Sequence, residues 1–221
     1  MESILLKANA KINLFLDITG KREDGYHELD SVMLSVGIAD ILRFERIDKT
    51  GIEIICDKEG FPLDESNIIH KAAKALFEKK GLYGKAGLKV TVEKNIPSQA
   101  GMGGGSADGA AALIAVNELF EPRICEQELI NIAAAIGADI PFCLKGGCKV
   151  CQGIGEKLTE AAFPKGLALV VIKPETAIST PAAYKAYDGL TKPEHRNISK
   201  MTAALESGSA EFIAGECQKE I

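Results

Sequence analysis

The sequence contains no tryptophan, and aromatic residues make up only 5% of it. It also has no excess of basic residues: 26 Lys and Arg stand against 31 Asp and Glu, for a formal net charge of -5. Nucleic acids and anionic membrane surfaces are usually bound by a basic patch that contacts phosphates. We therefore expect neither class of partner, and any anionic ligand must be bound by a local site.

Long hydrophobic runs are also missing. In MESILLKANAKINLFL, Lys7 and Lys11 interrupt the apolar residues, so the core of a secretory signal peptide does not form. No run reaches the roughly 20 apolar residues that span a bilayer. We expect a cytoplasmic protein. With 221 residues, 46% of them hydrophobic, the chain is long enough for one or two globular domains.

The six cysteines allow two interpretations. Four of them match the C-x4-C-x2-C…C spacing of plant-type iron–sulfur ligation: Cys143, Cys148, Cys151 and Cys217. However, the segment CKVCQ is predicted to be a strand, on which residues three apart point to opposite faces. We therefore favour buried structural cysteines. An iron–sulfur or thiol-redox protein stays open as an alternative, and we expect no other metal site.

Alternating and helical periodicities predict a mixed chain. Strands are predicted for AKINLFLDI, for the return after the turn at Asp24-Gly25, and for GIEIIC, LKVTVEK, CKVCQ and GLALVVIKP. Helices are predicted from a Ser66 cap to Gly81, from Glu126 to Gly137, and within STPAAYKAYDGL. Strands and helices do not alternate regularly as in βαβ units, so the pattern favours an α+β fold.

A glycine-rich stretch, PSQAGMGGGSADGAA, lies between a predicted strand and a predicted helix. Five of the nine residues from Gly101 to Gly109 are glycine. A helix N-terminus offers unpaired N–H groups and a positive dipole end, and glycines allow an anion to approach closely. The stretch therefore predicts a phosphate-binding loop. We expect Ser106 to cap the helix or contact a phosphate or its metal, and Asp108 to lie in the first turn, within reach of Mg²⁺.

Two common phosphate loops do not match this stretch. A Walker loop needs G-x-x-x-x-G-K-[ST], and GMGGGSA contains no lysine. A dinucleotide-binding fingerprint needs G-x-G-x-x-G, but the sixth position counted from Gly101 is Ser106. The loop therefore belongs to another class.

The stretch resembles the second motif of the GHMP kinases. Two further segments, AKINLFLDITGKREDGYHEL and GADIPFCLKGG, resemble those GHMP kinases that act on 4-diphosphocytidyl-2-C-methyl-D-erythritol in non-mevalonate isoprenoid biosynthesis, and ISTPAAY extends the likeness to Tyr184. The resemblance implies a ribosomal-S5-like N-terminal domain over 1–152 and a ferredoxin-like domain over 153–221. It also implies that ATP with Mg²⁺ phosphorylates the 2-hydroxyl of that small molecule.

The resemblance also implies roles for particular residues. Lys11 and Asp139 match the catalytic pair. The positions that match the nucleotide-phosphate loop are Pro97, Gly101, Gly103, Gly104, Gly105 and Ser106. Those that match substrate-binding positions are Asn13, Tyr26, His27, Thr180 and Tyr184.

The chemistry of these residue types agrees with the implied roles. Phosphoryl transfer needs an acceptor for the hydroxyl proton and stabilisation of charge, which Asp139 and Lys11 respectively supply. The rings of Tyr26 and Tyr184 suit stacking on a cytosine, and His27 suits a hydrogen bond to the edge of the base. Another GHMP kinase, acting on homoserine, mevalonate or a sugar, stays open as an alternative, as does a relative that binds without turnover.

A third glycine-rich motif, GSG followed by phenylalanine, is usual near the C-terminus of GHMP kinases. The segment LESGSAEFIAG has Ala210 where that motif needs its second glycine, so it is better interpreted as an acidic helix and turn. We therefore expect a kinase whose second domain lacks its C-terminal part. Such a chain would expose apolar surface, so it would either self-associate, with a homodimer as one form, or be marginally stable, and its turnover would be low.

Overall fold

The computed structural model describes residues 2–174, 180–190 and 195–219. Its strands are β1 (Ser3–Lys21), β2 (His27–Ile47), β3 (Gly51–Cys56), β4 (Gly87–Glu93), β5 (Cys148–Gly153), β6 (Lys157–Glu160) and β7 (Gln218–Lys219). Its helices are α1 (Ile68–Lys79), α2 (Gly104–Leu119), α3 (Glu126–Ile136), α4 (Ile140–Lys145), α5 (Thr180–Tyr187), α6 (Ile198–Ser207) and α7 (Ala210–Glu216). The chain is thus α+β, as its pattern predicts.

The first of two compact units comprises Met1–Ala10, Val36–Ile96 and Gly103–Lys145. In this unit the second half of β2 pairs antiparallel with β4, and β4 pairs parallel with β3. Helices α1 and α2 pack against each other. Gly109 of α2 permits this packing, because a Cβ atom there would lie 2.5 Å from Cγ2 of Ile68. Alanine-rich α2 is therefore buried along most of its length.

The second unit comprises Lys11–Ser35, Pro97–Met102 and Gly146–Ile221. The backbone N–H of Arg22 donates to the carbonyl of Tyr26 and closes the β1–β2 hairpin, with Gly25 in a left-handed conformation at φ 88°. The first half of β2 pairs antiparallel with β5, and β5 pairs with β6. A core cluster joins β1, β2, β5 and α6 through Leu14, Phe15, Val32, Leu34, Cys148, Met201, Ala204 and Leu205.

Two sequence-based predictions of local structure are wrong, and one strand was not predicted. No strand forms over GLALVVIKP, where Val170 and Ile172 are 90% and 86% exposed, because an alternating apolar pattern makes a strand only where a partner and a burying face are available. Asn67, not Ser66, caps α1: its side chain accepts from the N–H of Ile69, while the Ser66 hydroxyl donates to Asp64. Strand β6, short and polar, is missed altogether.

The units alternate along the chain, whereas the predicted boundary at residue 152 divides it once. The division into domains at residue 152 stays a prediction. Within the residues that the structure describes, no helix is long and apolar enough to cross a membrane.

Candidate active site

The glycine-rich loop leads directly into α2. Three of its residues have left-handed backbone angles: Gln99 at φ 54°, Gly101 at 67° and Gly103 at 68°. Gly103 is the N-cap of α2, and its carbonyl accepts from the N–H of Ala107 at 2.8 Å. Ser106 is inside the helix, so its predicted capping role is wrong. Gly103 has no side chain that could bond to the first N–H groups of α2, an arrangement that favours an anion.

Gly104 shows how closely this helix start approaches its surroundings. A Cβ atom at this position would lie 3.1 Å from Cγ2 of Ile96 and 3.5 Å from Nζ of Lys94. Any larger side chain would therefore displace its neighbours. The absence of a side chain here fits a loop that must also admit a phosphate group.

A buried charge cluster lies beside the start of α2 in the first unit. The ammonium group of Lys94, 6% exposed, donates to Oδ2 of Asp108 at 2.7 Å and also to Oδ2 of Asp40. The other oxygen of Asp40 accepts from the backbone N–H groups of Asn95 (2.6 Å) and Ile96 (2.8 Å). The cluster thus joins β2, the end of β4 and α2, immediately before and after the glycine-rich loop.

Asp108 is not where the sequence predicts it. It is the fifth residue of α2, past the first turn, with a carboxyl group that is 2% exposed and paired with Lys94. Its predicted place in the first turn is therefore wrong, whereas its approach to Mg²⁺ stays a prediction. Burial raises the pKa of Asp108 to about 7 although Lys94 opposes the shift, and Oδ1 has no hydrogen-bond partner among the described residues.

Lys11 lies on β1 in the second unit and is 7% exposed. Its backbone N–H donates to the carbonyl of Met102 at 3.0 Å, and its ammonium group donates to Oδ1 of Asn13 at 2.8 Å. The Asn13 amide donates in turn to Oγ of Ser31, whose hydroxyl donates to the carbonyl of Phe15. The structure therefore brings Lys11 and Asn13 together. It adds Ser31, which sequence reasoning missed because the contact joins two strands.

Asp139 lies in the first unit, half-buried between α3 and α4. Gly137 ends α3, as predicted, and the carbonyl of Asp139 accepts from the N–H of Cys143 at 3.1 Å. Asp139 thus also begins α4, a helix that the sequence analysis missed because Pro141 suggested a break.

The remaining predicted substrate residues lie in the second unit. The ring of His27 is buried and stacks on Tyr184, with centroids 4.7 Å apart and planes 14° from parallel. Its Nε2 atom is 2.8 Å from Oδ1 of Asp188, a partner that sequence reasoning missed because 161 positions separate the two residues. Tyr26, at the hairpin, is 60% exposed. Thr180 begins α5, and its side chain lies outside the described part of the chain.

The cysteines differ in their surroundings. Cys148 and Cys151 are buried, as predicted, and burial raises the pKa of the Cys148 thiol to about 11. Cys125 and Cys217 are exposed, so the prediction of buried cysteines is wrong for these two. Within residues 2–174, 180–190 and 195–219, no group of three or more His, Cys, Asp or Glu side chains could hold a metal ion.

Comparison with known proteins places the chain in a family. Residues 67–147 match the model of the GHMP kinases N terminal domain. The chain is 45% identical over 210 residues to a 4-diphosphocytidyl-2-C-methyl-D-erythritol kinase of Caldicellulosiruptor bescii, covering 95% of this chain and 72% of the relative. It is 41% identical over 209 residues to the kinase of the same name from Clostridium botulinum, covering 95% and 74%.

Solved structures agree with this placement. The crystal structure of a 4-(cytidine 5'-diphospho)-2C-methyl-D-erythritol kinase superposes with a TM-score of 0.72 at 30% identity, covering 93% of this chain and 72% of the other. The mevalonate kinase of Methanococcus jannaschii superposes at 0.68 with 12% identity, covering 98% and 77%, and so shares the fold. The fold, the glycine-rich loop ahead of α2 and the identity along nearly the whole chain lead to one conclusion: the chain belongs to the 4-diphosphocytidyl-2-C-methyl-D-erythritol kinase family of the GHMP kinases.

Proposed function

We propose that this kinase transfers the terminal phosphoryl group of ATP to the 2-hydroxyl of 4-diphosphocytidyl-2-C-methyl-D-erythritol. The observation that carries the proposal is the hydrogen bond from the backbone N–H of Lys11 to the carbonyl of Met102. This bond connects β1, which carries Lys11, to the glycine-rich loop that would bind the phosphates of ATP. The choice of substrate is supported by the relatives' names at 45% and 41% identity.

The start of α2 fits a nucleotide phosphate. Gly103 caps the helix without a side chain, and a Cβ atom on Gly104 would lie only 3.1 Å from Cγ2 of Ile96. We assign the phosphates of ATP to residues 101–106, with Pro97 shaping the approach, and ATP with Mg²⁺ supplies the phosphoryl group that is transferred. Among the described residues Asp108 is already paired with Lys94, so Ser106 is the better candidate for a metal contact from this helix.

Two residues are assigned to the reacting hydroxyl. Asp139 takes up the proton as general base, and the ammonium group of Lys11 stabilises the negative charge that develops on the oxygen. The amide oxygen of Asn13 accepts from Nζ of Lys11 at 2.8 Å and so restricts where that cation can lie. Positioning and charge stabilisation supply most of the catalysis in phosphoryl transfer, so small displacements of these groups should be costly.

The cytosine end of the substrate is assigned to the cluster around His27. Tyr26 offers an exposed ring at the hairpin, and Tyr184 stacks on the imidazole. Flat faces of this kind suit a pyrimidine base. Thr180 is also assigned to the substrate, and this assignment is supported by the family resemblance alone. We also retain a cytoplasmic location, a homodimer and the absence of a nucleic-acid partner as predictions, the last supported by the net charge of -5.

A panel of acceptors tests this function. ADP release is followed with a coupled assay for the purified chain with ATP and, in turn, the diphosphocytidyl substrate, homoserine and mevalonate. We expect turnover with the first acceptor alone. Turnover of homoserine or mevalonate, with none of the diphosphocytidyl compound, would assign the chain to a different GHMP activity. Asp139→Asn serves as the matched control, and it should lower the acceptor-dependent rate of ADP release at least about a hundredfold.

A further inference from the structure

Asp188, which is not among the assigned substrate residues, is hydrogen-bonded to the imidazole of His27, which is. Nε2 of His27 lies 2.8 Å from Oδ1 of Asp188, which follows α5. The second carboxylate oxygen, Oδ2, accepts from the ammonium group of Lys21 at 2.6 Å. Asp188 thus connects the end of α5 to both strands of the β1–β2 hairpin.

Aromatic contacts fix the same imidazole in orientation. Tyr184 stacks on its face, and Tyr187 meets it edge-on with centroids 6.3 Å apart and planes at 89°. The hydroxyl of Tyr187 donates to the backbone carbonyl of Ile18 at 3.1 Å, so this second ring is itself held in place. The His27 side chain is only 8% exposed. The plane of the imidazole is therefore set by its surroundings.

The carboxylate also decides which nitrogen carries the proton. The hydrogen bonds to Lys21 and His27 lower the pKa of Asp188, so its side chain is an acceptor. An acceptor at Nε2 requires a proton on Nε2, and in a neutral imidazole the other nitrogen, Nδ1, then has a lone pair. A carboxylate that fixes the tautomer of a histidine in this way is familiar from the outer shell of metal sites.

We propose that Asp188 is a positioning residue that holds His27 as a hydrogen-bond acceptor for the exocyclic amino group of cytosine. The inference rests on the proposed function and adds the residue that makes the site prefer cytosine over uracil. Cytosine has a donor amino group at position 4, where uracil has an acceptor carbonyl. A lone pair on Nδ1 of His27 accepts a hydrogen bond from the amino group of cytosine and repels the carbonyl oxygen of uracil. Hydrogen-bonding sites of this kind discriminate strongly, because the wrong partner leaves buried polar groups unpaired.

Asp188→Asn tests the proposal by kinetics. An amide can turn its NH₂ group toward Nε2, which releases the tautomer. At pH 8.5 we expect the KM for the diphosphocytidyl substrate to rise about ten- to a hundredfold, with kcat and the KM for ATP within about twofold of wild type. The preference over the matching diphosphouridyl compound should fall at least about tenfold. The control Asp30→Asn removes one negative charge from β2, where Asp30 accepts from Gln152, and should leave that preference intact.

A second readout needs no turnover. The ¹⁵N spectrum of histidine-labelled protein reports which ring nitrogen is protonated, and with three histidines in the chain His27→Gln identifies the signals. We expect an Nε2-protonated ring in wild type and a mixture of tautomers in Asp188→Asn. An Nδ1-protonated ring in wild type, or an unchanged cytosine preference in an active Asp188→Asn enzyme, would overturn the inference. A wild-type enzyme that turns over neither nucleotide substrate would instead overturn the proposed function, and the spectrum would still decide the tautomer.

Discussion

Replacing Asp108 with asparagine should make the protein less sensitive to rising pH. The carboxyl group is 2% exposed, its Oδ2 accepts from Lys94 at 2.7 Å, and in the described part of the chain its Oδ1 has no hydrogen-bond partner. Burial raises its pKa from an ordinary 3.8 to about 7. Asparagine has nearly the same shape and keeps an acceptor for Lys94, but it has no charge to bury. The substitution therefore removes the titration while preserving most contacts.

The size of the effect follows from the shift. A rise from 3.8 to about 7, at about 1.4 kcal/mol per pH unit, makes the contribution on the order of 4 kcal/mol. Because the native carboxyl has the higher pKa, the folded state binds the proton more tightly. The contribution to the free energy of unfolding is therefore full below pH 3.8 and is lost as pH rises to about 7.

Lys94 does not cancel this trend. Although burial lowers the pKa of Lys94, the carboxylates of Asp108 and Asp40 outweigh it and raise that pKa. The stability that this cation gains is retained until the pH approaches its raised pKa, well above neutrality. Across the acidic and neutral range the charge of Lys94 is therefore constant.

Urea unfolding of both proteins at pH 5, 6, 7 and 8 measures the effect. Relative to wild type, the free energy of unfolding of Asp108→Asn should rise by ~2–3 kcal/mol between pH 5 and pH 8. Asp48→Asn, at an exposed aspartate of the same unit, controls for the loss of one charge. Parallel pH profiles for Asp108→Asn and wild type would refute the reasoning, since they would show that the buried carboxyl does not titrate in this range.

Three further changes address the site. Asp139→Asn should lower turnover at least about a hundredfold with ATP affinity retained; near-normal steady-state rates would remove Asp139 from the mechanism. Gly104→Val should weaken ATP binding, since a Cβ there already lies 3.1 Å from Ile96, and unchanged affinity by calorimetry would place the phosphates elsewhere. Tyr184→Ala should weaken the diphosphocytidyl substrate by about 1–3 kcal/mol through lost stacking; an equal loss for ATP, measured by the same titration, would indicate a role in folding.

The sequence predicts those features that depend on neighbours in the chain. The alternation in β1, the turn at Asp24-Gly25 and the glycines before α2 each act over a few residues, and the structure has all three. The same locality explains the helix starts that were wrong. Ser66 and Asn67 are both residue types that cap helices well. In the structure the Ser66 hydroxyl donates to Asp64, and the Asn67 side chain caps α1.

The contacts that define the candidate site are mostly long-range, and sequence reasoning missed them. Lys94 is 54 positions from Asp40, and His27 is 161 positions from Asp188. No periodicity connects such pairs, because they meet only after the strands and helices have packed. Asp108 shows the consequence: an acid near a helix start suggests a dipole or metal role, whereas a distant lysine makes it a buried ion pair.

Identification of the product tests the central claim most directly. The purified chain is incubated with ATP, Mg²⁺ and 4-diphosphocytidyl-2-C-methyl-D-erythritol, and the product is examined by ³¹P and ¹³C NMR. The proposed function predicts one new phosphomonoester signal, coupled to the carbon that bears the 2-hydroxyl and absent with Asp139→Asn. A phosphate on any other hydroxyl, or unchanged substrate from a folded protein that binds ATP, would contradict it.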